Sequence, residues 1–422
     1  MIKLRNQSLL KRLCLTTRVF AMLWVLASSI AVAQMDHSNH MAMMGMGKSS
    51  ACQSSGLECA NAATPFLTPD GRLLLAWTSG GKVSVAQSTD LGKTFASPVV
   101  VAEHGKSLDT GGDARPQIIS DIKGNVFLAY AFFKDSSWNA QVNTAYSDDG
   151  GKTFSIPVSI VKDTSSQRFP IIALDPNGKL FVSWIDKRIV AASKGSNHKV
   201  IGGSIAYAIS DDFGHSFQTE KIANTDSCEC CRIGAAVDPK GGVAIAYRAI
   251  FPVGVRDHAS QLISDVGMAG PVRRISDDNW KTDVCPHQGP SIAVSGAGTF
   301  HVAWFTQGKT RSGVFYANSH DQGKTYTTPI RLGREDGNVS RPYLLAVGNS
   351  VWLVWKEFDG DKTSVFLKKT SDDGRTWSVP MLIANTAGYS DHPLLVSKGS
   401  MVYLSWLTRL DGYQLIQLSE RK

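Results

Sequence analysis

The residues best suited to chemistry are sulfur and nitrogen donors gathered in a few short stretches. Cys228, Cys230 and Cys231 fall within four consecutive positions, and Cys285 and His287 form a second group with one residue between them. Thiolate and imidazole favour Cu(I) or zinc over hard cations. His258 lies between the two groups in the chain and could join them or support a ligand from behind. Two other chemistries stay open for these cysteines, namely disulfides in an oxidising compartment and redox activity. Adjacent Cys230 and Cys231 can hardly bond each other without strain, so at least one needs a partner elsewhere. A third stretch, residues 35–46 (MDHSNHMAMMGM), holds five of the ten methionines and two of the ten histidines. Thioether sulfur binds Cu(I) without first losing a proton, and imidazole also accepts Cu(II). His37, His40, Met41, Met43, Met44 and Met46 are therefore candidate copper ligands, the alternative being a disordered leader of biased composition.

Export would place these groups where sulfur chemistry is oxidative. Residues 1–33 combine a basic start, an apolar run from Val19 to Val32 and the small-x-small ending Ala31-Val32-Ala33, the pattern of a cleaved secretory signal. The apolar run is short for a span of about 20 residues, so no membrane span is expected after cleavage. The expected product is periplasmic or secreted, with a Met/His-rich leader over 34–49 and a folded unit over 50–422. Of the 44 basic residues five lie in the first 33 positions, which hold no acid, leaving 39 against 36 acids in the rest. That near-balance gives no reason to expect nucleic acid as a partner, and no phosphate loop, Ser-His-Asp order or nucleic-acid motif stands out. The length of 422 residues with 43% hydrophobic content excludes a disordered chain and a small disulfide scaffold.

Internal repeats supply the frame. One apolar strand ending in an aromatic recurs seven times: LLLAW (Leu73 to Trp77), VFLAY (Val126 to Tyr130), LFVSW (Leu180 to Trp184), VAIAY (Val243 to Tyr247), FHVAW (Phe300 to Trp304), VWLVW (Val351 to Trp355) and VYLSW (Val402 to Trp406). The aromatics are 53, 54, 63, 57, 51 and 51 residues apart. Units of that length, made only of β-type runs and turns, predict an all-β propeller of four-stranded blades, seven by this count with six as the alternative. The last repeat ends where its fourth strand is due, so residues 50–63 are expected to complete the ring as that strand, pinned by a Cys52 to Cys59 bridge.

A second motif, S-x-D-x-G-x-T-F, recurs at Ser88 to Phe95, Ser147 to Phe154, Ser210 to Phe217 and Ser319 to Tyr326, and with Thr first at Thr370 to Trp377. Asp265-Val266-Gly267 occupies the same register without the rest of the motif. These are similar to the Asp-box, or BNR, repeats, and from about residue 60 onward the chain resembles the sialidase-like β-propeller superfamily. The leader is similar to the Met/His-rich segments of periplasmic copper-resistance proteins.

The resemblance implies that the segments entering each blade converge on the axis of one face, with the Asp boxes on the other. It also implies a hydrolase reading, in which an arginine triad clamps a substrate carboxylate, an Asp is the acid and a Tyr activated by Glu is the nucleophile. The positions that match are Arg115, Arg168 and Arg341 for the clamp, Asp113 for the acid, Tyr343 or Tyr389 for the nucleophile and Glu357 for its partner. The Phe-Arg-Ile-Pro entry of that superfamily is absent, with Gln167-Arg168-Phe169-Pro170 nearest to it, so these arginines could instead pair with acids at blade junctions. The leading expectation is an exported propeller that binds a soft metal, copper before zinc, in metal handling or tolerance. An exo-α-sialidase-type hydrolase is the alternative, and a non-catalytic propeller that binds a sialylated glycan or a periplasmic protein is the third.

Overall fold

The computed structural model describes residues 52, 54–163, 165–194, 200–282, 284 and 286–418. Among them the chain forms seven antiparallel sheets in sequence order, six of four strands and one of three. The first blade runs Ala63–Leu67, Leu73–Ser79, Lys82–Ser88 and Val99–Glu103, each strand pairing with the next. Blade two begins at Gln117, three at Gln167, four at Gly234, five at Ser291, six at Asn338 and seven at Leu394. No helix among the described residues is long and apolar enough to cross a membrane.

The seven recurrent aromatics explain why the units form sheets and why the sheets stack. Trp77, Tyr130, Trp184, Tyr247, Trp304, Trp355 and Trp406 are all at most 2% exposed. Each sits within a second strand and packs toward a neighbouring blade: Trp184 lies with Phe127 and Ala129 of blade two, and Trp355 with Val314 and Tyr316 of blade five. An aromatic of this size removes roughly 150–250 Å² from water. Its polar edge is satisfied too, because the indole N–H of Trp184 donates to Asp186 (2.9 Å), that of Trp304 to Asp278 (2.7 Å) and that of Trp355 to Glu357 (2.8 Å).

Asp-box corners close the hairpins on the same plan each time. In blade one the Ser88 hydroxyl accepts from Gly92 N–H (2.8 Å) and donates to Asp90 (2.7 Å), while Asp90 accepts from Thr94 N–H (2.9 Å) and its hydroxyl (2.6 Å). The same bonds recur at Ser147 to Thr153, Ser210 to Ser216, Ser319 to Thr325 and Thr370 to Thr376. Glycine is required at the fifth place: Gly214 has φ +92°, and a Cβ there would stand 2.3 Å from the Phe127 ring of the preceding blade. Blade four keeps the turn, with Gly267 N–H bonded to Ser264 O (2.8 Å), but lacks the carboxylate staple.

Ring closure differs from the expected strand. The seventh sheet has three strands among the described residues, Leu394–Lys398, Met401–Thr408 and Gly412–Gln417. Residues 54–62 instead carry a 3-10 turn, Leu57–Cys59, laid over the junction of the first and last blades. The physical reason is the bridge itself. Cys52 and Cys59 are disulfide-bonded with Cα atoms 5.5 Å apart, whereas seven residues of extended strand would span about 23 Å. Leu57 and Ala60 pack against Leu75, Trp77 and Leu407, and Arg409 donates to Glu58 O (2.8 Å). Side-chain packing closes the ring here.

Candidate functional site

Blade-entry segments distant in sequence meet at the axis. Asp113, from the entry to blade two, is held by Arg232 of blade four (3.0 Å) and by Arg341 of blade six (2.9 and 2.8 Å). Arg341 also donates to the backbone O of His287, from the entry to blade five. Three alternate blades can share one carboxylate only at the hub. The backbone is shaped to reach it: Phe169, His287 and Arg341 take left-handed φ values of 58°, 49° and 56°. The ladder slips a register beside Phe169 and Arg341, a bulge that turns a side chain inward.

The hydrolase candidates reach this face as closed ion pairs. Arg115 forks onto Asp391 (2.5 and 3.1 Å), and Asp391 also accepts from Ala63 N–H (3.0 Å), tying blades one, two and seven. Arg168 pairs with Asp109, one contact being 3.1 Å, and lies over the Phe169 ring. Burial would raise the Asp113 carboxyl, but Arg341 and Arg232 outweigh it and hold the group below the usual carboxylate range. A general acid needs the opposite shift. Burial pushes the Tyr343 phenol up, and Tyr389 up to about 12. The hydroxyl of Tyr389 donates to Asn61 O (3.2 Å). Glu357 accepts from Trp355 and pairs with Arg334 (3.3 Å). It lines a cavity of about 460 Å³ with Arg331, Trp355, Phe366 and Lys368, and none of the other hydrolase candidates lines that cavity.

Sulfur converges beside this hub. Cys228, Cys230 and Cys231 follow the last strand of blade three, Lys221–Ser227, and precede Gly234–Val237 of blade four. Their Sγ atoms lie within 4.8 Å of one another and all three residues are buried. Cys228 and Cys231 are free thiols with sulfurs 3.2 Å apart, while Cys230, 3.7 Å from Cys228, is disulfide-bonded. A hydrogen bond from Cys231 and the charge of Arg248, working against burial, bring the Cys228 thiol down to about 6. Cys231 shifts far upward, since it keeps the shared proton and is buried. The pair is thus one thiolate and one thiol at neutral pH.

The blade-four hairpin that follows the cluster carries a buried cation and a buried imidazole. Cys228 N–H donates to Arg248 O (2.9 Å). The Arg248 guanidinium stacks over Trp280 at 3.9 Å and donates to Gln288 O (3.2 Å). Its Nε and Nη1 have no partner among the described residues. His258 faces Arg248 across the hairpin of Val243–Arg248 and His258–Ile263. It is 1% exposed, and burial with the charges of Arg248 and Arg232 keeps it neutral. The Gln288 backbone approaches it, but neither ring nitrogen has a well-formed hydrogen bond among the described residues. A neutral imidazole with an open lone pair is a competent metal ligand.

Of the other metal candidates, His287 sits at the hub beside Phe169 and Asp113 and outside the sulfur cluster, its ring lowered by burial. Cys285, His37, His40, Met41, Met43, Met44 and Met46 lie outside the described residues. Sequence reasoning missed Asp391 and Asp109 as arginine partners and Arg248 as the cation over the thiols. Only the Asp391-His392-Pro393 entry carried a signal, because it occupies the slot that holds Arg-Pro in other blades.

No protein-family model matches the sequence, and neither does any curated protein. Among solved structures, an ulvan lyase of a new polysaccharide lyase family superposes with TM-score 0.54 at 10% identity, over 87% of this chain and 95% of that one. A Hadza microbial sialidase superposes with TM-score 0.50 at 14% identity, over 83% and 74% of the two chains. The chain shares the β-propeller fold of these structures. Identity this low carries the architecture alone, since one such frame hosts unrelated chemistries.

Proposed function

We propose that this propeller binds a soft metal ion, copper as Cu(I), and serves in the handling or tolerance of copper outside the cytoplasm. The observation that carries the reading is the buried pair Cys228 and Cys231, one of them a thiolate near neutrality, with sulfurs 3.2 Å apart. Two thiols suit a low-coordinate Cu(I), and His258 stands outside the group of close ligand atoms as a supporting residue. Structural zinc takes four donors, and Cys230 is already committed to a disulfide. The Met/His-rich leader supplies a second set of soft donors in His37, His40, Met41, Met43, Met44 and Met46. The signal-like residues 1–33 support export to the compartment where such a leader would meet copper.

The hydrolase reading draws support from the fold alone. Each clamp arginine already holds a protein carboxylate, with which a substrate acid would have to compete. Copper retention decides the matter. The reduced chain is expected to keep Cu(I) against a chromogenic chelator, to keep less as C228S or C231S, and to keep least when either change is combined with loss of residues 35–46. Failure of the reduced wild-type chain to retain copper would overturn the reading.

A further inference from the structure

The oxidation states of the described cysteines do not match one another. Cys52 and Cys59 are joined, and Cys230 is disulfide-bonded, yet Cys228 and Cys231, on either side of Cys230 in the sequence, are thiols. Their sulfurs are 3.2 Å apart, so a bond of about 2.05 Å needs a closing movement of only about 1.2 Å. Their C-x-x-C spacing is one that closes readily into a disulfide. What can oxidise them is limited by access, because they are 1% and 2% exposed. A disulfide on another protein cannot reach sulfurs so deeply covered. A small cation drawn to sulfur can.

We propose that Cys228 and Cys231 are a two-electron dithiol/disulfide couple that reduces cupric ions. This rests on the copper reading above and adds an activity to the same site. The Cys228 thiolate and the Cys231 thiol each give one electron to one Cu(II), Cys231 releases the proton that the pair shares, and the two sulfurs join. The products are one Cys228–Cys231 disulfide, two Cu(I) and one proton. Arg248 fits the step, since its backbone O accepts from Cys228 N–H (2.9 Å), its charge acts on both sulfurs, and its Nε and Nη1 have no hydrogen-bond partner among the described residues. A fixed positive charge there stabilises the anionic sulfur that donates the electron. The disulfide offers no thiolate, so the reduced pair holds Cu(I) and the oxidised pair does not.

The test uses the full chain without oxygen, after its starting thiols have been counted by alkylation and peptide mass. Two equivalents of Cu(II) are added. The expected result is loss of the cupric paramagnetic signal, two Cu(I) per chain captured by a chelator, and loss of alkylation at Cys228 and Cys231 together. The double variant C228S/C231S should leave the signal in place. Thiols that remain fully alkylatable after Cu(II) would overturn the couple. A parallel arm with Cu(I) alone separates the two readings. Retained Cu(I) with thiols that survive Cu(II) would leave the binding site standing and remove the couple. Thiols oxidised by Cu(II) in a chain that cannot retain Cu(I) would leave the couple and remove the binding site.

Discussion

Cys228 and Cys231 share one proton, and the direction of sharing is set by what surrounds each. Cys231 donates its hydrogen bond and Arg248 adds its charge, so Cys228 is the thiolate, with its pKa brought down to about 6. An unfolded cysteine titrates near 8.5. The stability gained from this shift is therefore complete above about pH 8.5 and is lost as pH falls through 6. The thiolate ultraviolet absorbance of the native protein should titrate with a midpoint near 6. Cys231→Ala, which removes the donor, should move that midpoint upward by at least about one pH unit, because one such bond is worth roughly a kcal/mol or more. An unmoved midpoint would mean that Cys231 is not the donor. The cysteine spacing made these donors visible in the sequence. Arg248 was not visible as their counter-charge, because only the pairing of its strand with that of His258 brings it there.

Among the elements, the Asp-box corner was the most legible, since all of its bonds lie within about six residues. Ser, Asp, Gly and Thr at fixed spacing dictate the turn wherever they occur. The first-to-last junction was not legible. A missing fourth strand suggested an N-terminal replacement, but the Cys52 to Cys59 bridge folds residues 54–60 into a turn, and Leu57 caps the seam by packing. The boxes also set the acid limit of the fold. Hydrogen bonds from Thr94 hold Asp90 at about 2, and those from Thr325 hold Asp321 at about 2. Asp149, Asp212 and Asp372 are lowered as well. Lowered carboxyls lend stability that is complete above the unfolded value near 3.9 and is lost as pH falls through the folded one. The thermal midpoint should therefore decline gently below about pH 6.5, where histidines kept neutral in the fold, such as His258 and His301, take up protons on unfolding, and fall most steeply from about pH 4 toward pH 2. A midpoint that stays flat from pH 4 to 2 would contradict this.

At the scale of the whole molecule, the ring is knit through its axis as well as around its rim. Asp391 and Arg115 are 276 residues apart, and with Ala63 they join blades one, two and seven. Lys356 of blade six, drawn down to about 8 chiefly by burial, donates to the backbone of Ser390 and Asp391 (2.9 and 3.2 Å). Seven blades followed from the repeat spacing, and the converging hub from the resemblance to the sialidase-like propellers. The pairing at the hub did not, because a repeat tells which residues reach the axis and not which of them meet there. Asp391→Asn would leave the buried Arg115 charge without its counter-ion and should cost about 3–5 kcal/mol, read as a lower denaturant midpoint with an unchanged slope. The same change should leave copper retention intact, since Asp391 belongs to the arginine network and not to the sulfur cluster. The central claim is that the sulfurs brought together beside this hub hold copper. X-ray absorption of the reduced, Cu(I)-loaded protein lacking residues 35–46 measures it most directly. Two sulfur neighbours are predicted at the metal, falling to at most one in C228S/C231S, whereas a shell of nitrogen and oxygen alone would contradict it.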